Sequence, residues 1–251
     1  MAEIKKVTAC LLIVGDEVLS GRTKDANLAF LGMELNEIGI RMSECRVVPD
    51  EEDVIVAAIN EVRARYDYIF TTGGIGPTHD DITAACVAKA FGVELHRHPE
   101  AVEIFLEHYA PKDMNETRWK MAETPIGADL IHNPVSRPPG FKMENVYVMA
   151  GIPRVMQGMF GTFKDTLEGG DKLLSRTIPT HAKEGDMGKP LKELQKNHPD
   201  VEIGSYPFFQ ANGGTGVRIA LRHPDMARID EVAEDVIALI HDLGEEVVDE
   251  G

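Results

Sequence analysis

Cysteine is scarce in this chain of 251 residues, which has only three, Cys10, Cys45 and Cys86. Their odd number and wide separation fit neither a disulfide framework nor a zinc-binding spacing, so the sequence predicts reduced, buried thiols. No apolar run reaches the roughly 20 residues that a membrane helix needs. The first apolar run ends at residues 15–17 and lacks the cleavage layout of a signal peptide. A cytoplasmic protein is therefore expected.

Basic residues are also in deficit, with 26 against 42 acidic residues and a formal net charge of −16. Such a field repels polyanions, so neither nucleic acid nor an anionic membrane is expected as a partner. A small phosphorylated ligand remains compatible, because a glycine loop or a bound cation can locally override the global charge. The hydrophobic content of 43% is ordinary for a globular chain of one large domain or two modest ones.

Strand and helix patterns alternate through the first two thirds of the chain. Val7–Val14 is almost continuously apolar, which is typical of a strand covered on both faces. Further strands are predicted at Ile40–Val48, Tyr68–Thr72 and Val146–Met149. Helices are predicted roughly over residues 28–38, 50–62, 82–91 and 153–167, with an interrupted helical stretch over 99–128. Repeated βα units predict a parallel, doubly wound sheet, whose ligands bind beyond the carboxyl ends of the strands.

A second, smaller domain is predicted after the glycine-containing segment 168–171, which is the best candidate for a linker. The order there is strand, helix, strand, strand, helix, strand, which is typical of a ferredoxin-like domain. These elements are predicted at Leu173–Thr180, Lys189–Asn197, Val201–Tyr206, Gly216–Arg222, Ala227–Leu243 and Glu245–Val248. We therefore expect a three-layer α/β/α domain with a mostly parallel sheet over residues 1–168 and a small α+β domain over 172–251.

The strongest functional signal is the segment 72–83, Thr-Gly-Gly-Ile-Gly-Pro-Thr-His-Asp-Asp-Ile-Thr, directly after a predicted strand. Glycines at positions 73, 74 and 76 let backbone amides approach an anion without interference from a Cβ. The helix expected to begin near Asp81 directs its positive end to the same place. The turn alone equally fits a tight connection, because it lacks the third glycine of a dinucleotide fingerprint and the lysine of a P-loop.

Two adjacent carboxylates, Asp80 and Asp81, follow this turn. Capping of the helix is the ordinary role of such a residue and is expected for at least one of them. A cap does not require a second carboxylate, however, and the pair could hold a divalent cation that also binds phosphate.

A second polar cluster follows the first strand and runs from Gly15 to Asn27. Asp16 and Glu17 could supply cation ligands, while Ser20, Gly21 and Asn27 could bind a ligand. The alternative is a polar loop in which Thr23 or Asp25 caps the first helix. Asp50 follows the second strand, where it is either a helix cap or a further site residue. The sequence predicts that these strand-end loops meet in space.

These motifs together resemble the MoaB/Mog molybdopterin-binding superfamily. The segment 15–21, Gly-Asp-Glu-Val-Leu-Ser-Gly, together with Asn27, resembles more specifically the N-terminal domain of the competence/damage-inducible protein CinA. Later segments agree in order: residues 133–141 (Asn-Pro-Val-Ser-Arg-Pro-Pro-Gly-Phe), 151–156 (Gly-Ile-Pro-Arg-Val-Met) and 204–207 (Gly-Ser-Tyr-Pro). The resemblance extends over nearly the whole chain. It implies a molybdopterin-binding-like domain, usually oligomeric as a dimer or trimer, with a small α/β appendage.

The same resemblance implies an activity. In the molybdenum-cofactor members two aspartates matter for handling metal and pterin, and the positions that match them are Asp50 and Asp81. CinA-type members, and the related domain of eukaryotic FAD synthases, imply metal-dependent cleavage of a pyrophosphate such as that of ADP-ribose or FAD. Full-length CinA also has a nicotinamide-mononucleotide deamidase domain, and that activity is not expected of this sequence.

The leading hypothesis is a hydrolase of a nucleotide pyrophosphate that depends on a divalent cation, Mg²⁺ or Co²⁺. The alternative is a protein that binds molybdopterin without hydrolysis, and a third hypothesis is a degenerate module that scaffolds a protein partner. Asp50 and Asp81 are the catalytic candidates, and Asp16, Glu17 and Asp80 are the metal candidates. The candidates for binding the ligand and its phosphate are Ser20, Gly21, Asn27, Thr72, Gly73, Gly74, Gly76, Pro77 and Thr78.

Overall fold

The computed structural model of the chain describes residues 4–209 and 215–248. The chain divides into two compact units, and the division falls between Asp171 and Lys172. None of the helices in the described residues combines the length and the apolarity needed to span a bilayer. All three cysteines are free, as predicted, and burial raises the pKa of Cys10 to about 12.

A central sheet organises the first unit. The described strands of this unit are β1 (Val7–Val14), β2 (Ile40–Val48), β3 (Tyr68–Thr72), β4 (Leu95–Arg97), β5 (Glu123–Pro125), β6 (Asp129–Ile131), β7 (Gly140–Met143) and β8 (Val146–Met149). Six of them form one sheet in the order β2-β1-β3-β8-β7-β6. The first four are parallel, whereas β7 and β6 continue the sheet antiparallel. The sheet is therefore mostly parallel, as predicted.

Helices cover both faces of this sheet. The described helices are α1 (Asp16–Leu19), α2 (Asn27–Glu37), α3 (Glu52–Arg63), α4 (Thr83–Phe91), α5 (Pro99–His108), α6 (Glu116–Lys120) and α7 (Pro153–Phe163). Alternate side chains of β1 enter different cores because successive strand residues point to opposite faces. Leu11 packs with Leu31 of α2 and Phe160 of α7, whereas Leu12 packs with Ile59 of α3 and Val87 of α4. The predicted three-layer α/β/α arrangement is confirmed.

Sequence periodicity located the long elements and missed the short ones. The bounds of β1, β2, β3 and β8 agree with the prediction. The four-residue helix α1 and the strands β6 and β7 were not predicted. The stretch 99–128, predicted to be interrupted helix, also contains the strand β5, which pairs antiparallel with β4. Elements of three or four residues contain too few repeats for a period to be recognised.

The predicted linker 168–171 is tied to the first unit. The amide of Gly170 donates to the carbonyl of Gly39 over 3.1 Å, and the amide of Lys5 donates to the carboxylate of Asp171 over 2.8 Å. A Cβ on Gly169 would lie only 1.6 Å from the carbonyl oxygen of Ile38. Glycine at position 169 therefore allows its backbone to pack closely against that of Ile38. This packing role differs from the flexibility expected of a linker.

The second unit contains a small antiparallel sheet. Its described elements are β9 (Leu174–Thr180), α8 (Glu184–Asn197), β10 (Glu202–Phe209), β11 (Thr215–His223) and α9 (Met226–Asp242). The sheet order is β10-β11-β9, and the predicted last strand is reduced to one antiparallel bridge between Thr180 and Val247. With that bridge beside β9, the order is that of a ferredoxin-like unit. Ile219 and Val236 lie in its core.

Candidate functional site

A cleft of about 570 Å³ lies at the carboxyl edge of the parallel strands of the first unit. Its walls come from the loop after β1, the turn after β3, the turn over residues 133–138 and the loop between β8 and α7. Glu17 of the first loop and Asp81 beyond the second line the same space. The predicted meeting of the loops after β1 and β3 is therefore observed, at the edge where doubly wound sheets bind ligands.

Gly73 connects β3 to the glycine turn, and its backbone conformation explains why glycine is required. Its φ is 103°, and a Cβ there would lie 2.1 Å from the carbonyl oxygen of Val14. Its amide donates a hydrogen bond to the carbonyl of Met149 over 3.2 Å. Gly73 thus extends the pairing of β3 with β8 and has no amide to offer a ligand. This corrects the expectation that all three glycines present amides to phosphate.

The next three residues of the turn do present amides. Within the described residues, the amides of Gly74, Ile75 and Gly76 have no hydrogen-bond partner, and all three residues line the cleft. Gly74 has a φ of 66°, and its carbonyl accepts a hydrogen bond from the amide of Thr83 over 3.0 Å. Free amides beside the amino-terminal end of a helix, here α4, are the arrangement that binds phosphate groups.

Asp81 closes the turn and does not cap α4. Its Oδ2 accepts a hydrogen bond from the amide of Thr78 over 2.8 Å and lies within hydrogen-bonding distance of the Thr78 hydroxyl. The same hydroxyl contacts Asp80, and this hydrogen bond is the main reason why the pKa of Asp80 is lowered. The N-cap of α4 is Ile82, without a side-chain cap. The capping role expected for Asp80 or Asp81 is therefore wrong. Thr78 was predicted to bind phosphate, but its amide and its hydroxyl both already donate to the carboxylates of Asp80 and Asp81.

Asp50 is not a helix cap either, because α3 begins after Glu51 without a side-chain cap. Its Oδ2 instead accepts a hydrogen bond from the amide of Asp16 over 2.9 Å. The pKa of Asp50 is raised, chiefly because the carboxyl group is buried. The hydrogen bond from the Asp16 amide lowers the pKa, whereas the negative charges of Asp16, Glu17 and Asp80 raise it further. Carboxylates from the ends of β1, β2 and β3 therefore share one electrostatic environment.

These carboxylates do not form a preassembled metal centre. Across residues 4–209 and 215–248, no three His, Cys, Asp or Glu side chains are placed to hold one ion. Glu17 and Asp81 line the cleft, whereas Asp16 and Asp50 bond to each other outside its lining. The assignment of Asp16, Glu17 and Asp80 to a cation stays a prediction.

The residues of the loop after β1 that were predicted to belong to the site lie in two different places. Ser20 and Gly21 are exposed at the end of α1, away from the cleft lining, and Gly21 has a φ of 73°. Asp25 accepts a hydrogen bond from the amide of Leu28 over 2.9 Å and so satisfies a first-turn amide of α2, although the N-cap position itself is Ala26. Thr23 lines the cleft together with Glu17 and Pro77.

Asn27 and Thr72 lie outside the cleft lining and are both buried. Asn27 begins α2 and is 3% exposed, and Thr72 ends β3 and is 1% exposed. The Nδ2 of Asn27 donates to the carbonyl of Gly151 over 2.9 Å, which ties α2 to the loop before α7. Among the described residues, neither Asn27 Oδ1 nor Thr72 Oγ1 has a hydrogen-bond partner.

Lys120 is a candidate that the sequence did not reveal. Its Nζ donates to the carbonyl of Thr78 over 2.6 Å. It also lines a pocket of about 70 Å³ together with Gly74, Gly76 and Asp81. Lys120 ends α6, about 40 positions after the glycine turn, and no local pattern distinguishes it from other surface lysines.

Asn133 organises the turn over residues 133–138, which contributes to the wall of the cleft. It is 2% exposed, and its Oδ1 accepts hydrogen bonds from the amides of Val135 and Ser136 over 3.0 and 3.1 Å. Its Nδ2 donates to Ser136 Oγ and to the carbonyl of Pro138 over 2.8 and 2.7 Å. In the sequence, the segment 133–141 carries part of the family resemblance, and no local pattern assigns a role to Asn133.

Two structural features define the class of protein to which the chain belongs. They are a three-layer α/β/α unit with a glycine turn at its carboxyl edge and a small α+β unit that follows it in the chain. The chain belongs to the family described as "probable molybdopterin binding domain", whose model matches residues 10–169. Residues 172–248 match the model described as "FAD synthase, middle domain". The predicted membership of the MoaB/Mog superfamily is therefore confirmed.

Individual relatives agree with this assignment. A protein of Pyrobaculum calidifontis is 36% identical over 216 residues, which are 80% of each chain. A protein of Caenorhabditis elegans named probable FAD synthase is 31% identical over 229 residues, which cover 81% of this chain but 44% of that protein. The crystal structure of CinA from Thermoplasma acidophilum, a protein described as of unknown function, has 31% identity and a TM-score of 0.61. It covers 64% of this chain and 98% of the CinA chain. The resemblance to CinA is thereby confirmed.

Proposed function

We propose that the chain hydrolyses a nucleotide pyrophosphate, such as ADP-ribose or FAD, with the help of a divalent cation. The observation that carries this proposal is the placement of free backbone amides and carboxylates on one cleft. The amides of Gly74, Ile75 and Gly76 suit phosphate oxygens, whereas Glu17 and Asp81 suit a cation or a water molecule. A diphosphate with its counter-ion requires both kinds of group at once.

The phosphate side of the cleft has further positive polarity. The amino-terminal end of α7 lies beside the lining residues Gly151 and Pro153, as that of α4 lies beside Gly74. Aligned peptide dipoles give a helix a partial positive charge at this end, which attracts phosphate. The ammonium of Lys120 at the Thr78 carbonyl adds a full positive charge. This local polarity is how a chain with a net charge of −16 could hold an anion.

The donor set fits magnesium bound together with substrate. Mg²⁺ is commonly held by one or two carboxylates, with substrate phosphate oxygens and water completing its shell. Glu17 and Asp81 would be the protein ligands, and neighbouring Asp80, Asp50 and Asp16 make the region negative. When bound, the cation supplies neutralisation of diphosphate charge and activation of water. The turn supplies orientation, since Asp81 is held by the Thr78 amide.

The alternative proposal is a molybdopterin-binding protein that cleaves no bond. It is favoured by the family description that matches residues 10–169. The same amides would hold the single phosphate of the pterin, and the exposed side chain of Ile152 would lie against its ring. Self-association and a cytoplasmic location, expected from the sequence, remain part of either proposal.

Incubation with ADP-ribose and FAD, each with Mg²⁺ or Co²⁺, tests the proposed reaction. We expect AMP to form only when a cation is present. Tight binding of molybdopterin without AMP formation from either nucleotide would establish the alternative. If none of ADP-ribose, FAD and molybdopterin raises the melting temperature, both proposals fail, because a ligand bound only by the folded state must stabilise it.

A further inference from the structure

We propose that Asn27 and Thr72 form a subsite that binds a ribose hydroxyl of the ligand. The inference rests on the proposed function in taking the ligand to be a nucleotide. It concerns a cavity of about 40 Å³ that contains Asn27 and Thr72 in its lining. This cavity shares Glu17, Thr23 and Gly151 with the main cleft, so the two spaces adjoin.

Two residues of this lining each carry a buried polar atom without a hydrogen-bond partner among the described residues. Asn27 Oδ1 and Thr72 Oγ1 have no hydrogen-bond partner in the described part of the chain. A buried polar atom without a partner is unfavourable, so such atoms are uncommon in folded proteins. Two such atoms on residues that line one cavity therefore point to a ligand group that pairs with them.

The orientation of the Asn27 amide is fixed by its neighbour. Its Nδ2 donates to the carbonyl of Gly151 over 2.9 Å. The flipped orientation would place two acceptor oxygens against each other, so the hydrogen-bond network assigns Oδ1 to the unpartnered side. Oδ1 can only accept, whereas the hydroxyl of Thr72 can donate or accept.

These two atoms select a hydroxyl and not a phosphate. A ligand hydroxyl can donate its proton to Asn27 Oδ1 and accept from Thr72 Oγ1, which satisfies both. A phosphate oxygen would be repelled by the acceptor Oδ1. The charged lining residues are Glu17 and Asp25 against Lys24, so negative charge predominates. Phosphate is better placed at the free amides of the glycine turn.

The volume agrees with a small polar group. A cavity must offer about 10–15 Å³ to hold one water molecule, and this one offers about 40 Å³. A single ribose edge fits that space, while base and phosphates would occupy the cleft of about 570 Å³. The ribose would then lie between the loop after β1 and the end of β3.

Calorimetry with ADP, 2′-deoxy-ADP and 3′-deoxy-ADP in the presence of Mg²⁺ tests the subsite. We expect the parent protein to bind one deoxy analogue about 3–10-fold more weakly than ADP, the range of one hydrogen bond. Thr72→Val should abolish this preference, and Thr72→Ser should keep it. Thr71→Val is the matched control, because Thr71 is also a buried threonine with an unpartnered hydroxyl but does not line the cavity.

The outcomes separate the subsite from the proposed function. A parent protein that binds all three nucleotides equally contradicts the subsite alone, and so does a Thr72→Val variant that keeps the preference. A parent protein that binds none of them contradicts the nucleotide ligand and, with it, the subsite. Equal melting temperatures of the Thr71→Val and Thr72→Val variants exclude a folding effect.

Discussion

The carboxylate of Asp50 accepts a hydrogen bond from the amide of Asp16 over 2.9 Å. Because Asp50 follows β2 and Asp16 follows β1, this bond joins the carboxyl ends of two neighbouring parallel strands. It holds an aspartate where burial and three acidic neighbours oppose its ionisation. A nearby cation would stabilise the ionised form of such a carboxylate. The position of Asp50 is therefore consistent with the proposed function, which requires a divalent cation.

Replacing Asp50 by Asn should change stability in a pH-dependent way. The pKa of Asp50 is raised in the folded state. Its protonation therefore stabilises the fold below the ordinary titration range of aspartate, and this contribution is lost as the pH rises through the raised pKa. At pH 7 we expect Asp50→Asn, which keeps an acceptor for the Asp16 amide, to raise Tm by about 1–3 °C. The gain should shrink toward pH 4, as measured by thermal melts across that range.

Asp53→Asn is the control for this pH effect. Asp53 lies in the first turn of α3 and pairs with Lys89 over 3.2 Å, so its removal should give no gain in Tm at pH 7. A gain of the same size for both variants would mean that lower net charge alone is responsible.

Asp81→Asn should reduce turnover of the nucleotide pyrophosphate by about 10²–10³, the usual effect of losing one preorganised electrostatic contact. Folding should persist, because the remaining amide oxygen can still accept from the Thr78 amide. The matched control is Asp67→Asn, since Asp67 Oδ2 likewise accepts from the amide and hydroxyl of one threonine, Thr8, over 2.7 and 2.8 Å. Asp67 directly precedes β3 and so lies at the opposite end of that strand from the glycine turn. Equal turnover of the two variants would contradict a functional role for Asp81.

The glycines of the turn should differ in what their substitution disrupts. A Cβ at position 73 would lie 2.1 Å from the Val14 carbonyl oxygen, which belongs to a neighbouring strand and cannot move away. Gly73→Ala should therefore lower the free energy of unfolding by about 2–4 kcal/mol. At Gly76 the Cβ would meet the end of the Asp81 side chain at 2.7 Å, so Gly76→Ala should fold and bind nucleotide weakly. Urea denaturation measures the stability of each variant, and calorimetry measures its nucleotide binding. A Gly73→Ala variant as stable as the parent would contradict a structural role for Gly73.

Lys120→Gln should raise the KM for the nucleotide pyrophosphate by roughly tenfold, because it removes a charge-assisted contact at the glycine turn. Lys112→Gln, on the exposed turn between α5 and α6, is the control for a general loss of positive charge. Salt screens exposed charges, so the difference in KM between the parent and Lys120→Gln should narrow as NaCl is increased. Identical KM values for the Lys112 and Lys120 variants would remove Lys120 from the site.

Much of the fold could be predicted because the signals that determine it are local. The apolar run Val7–Val14 indicated a strand buried on both faces, and the structure packs its alternate residues into two cores. The repeated βα units predicted the order of layers and the edge at which the cleft lies. The same reasoning failed for β5, β6 and β7, because three or four residues carry no period and depend on their partners for stability.

The sequence by itself determined which segments carry polar groups at strand ends, and the superfamily to which these segments belong. Only the tertiary structure decided which groups are free. Gly73 and Thr78 use their donors within the fold, whereas Gly74 and Gly76 retain theirs, and Lys120 reaches the turn from a distant helix. The physical reason is that a hydrogen bond is satisfied by whichever group packing brings within about 3 Å, and neighbours in space are not neighbours in sequence.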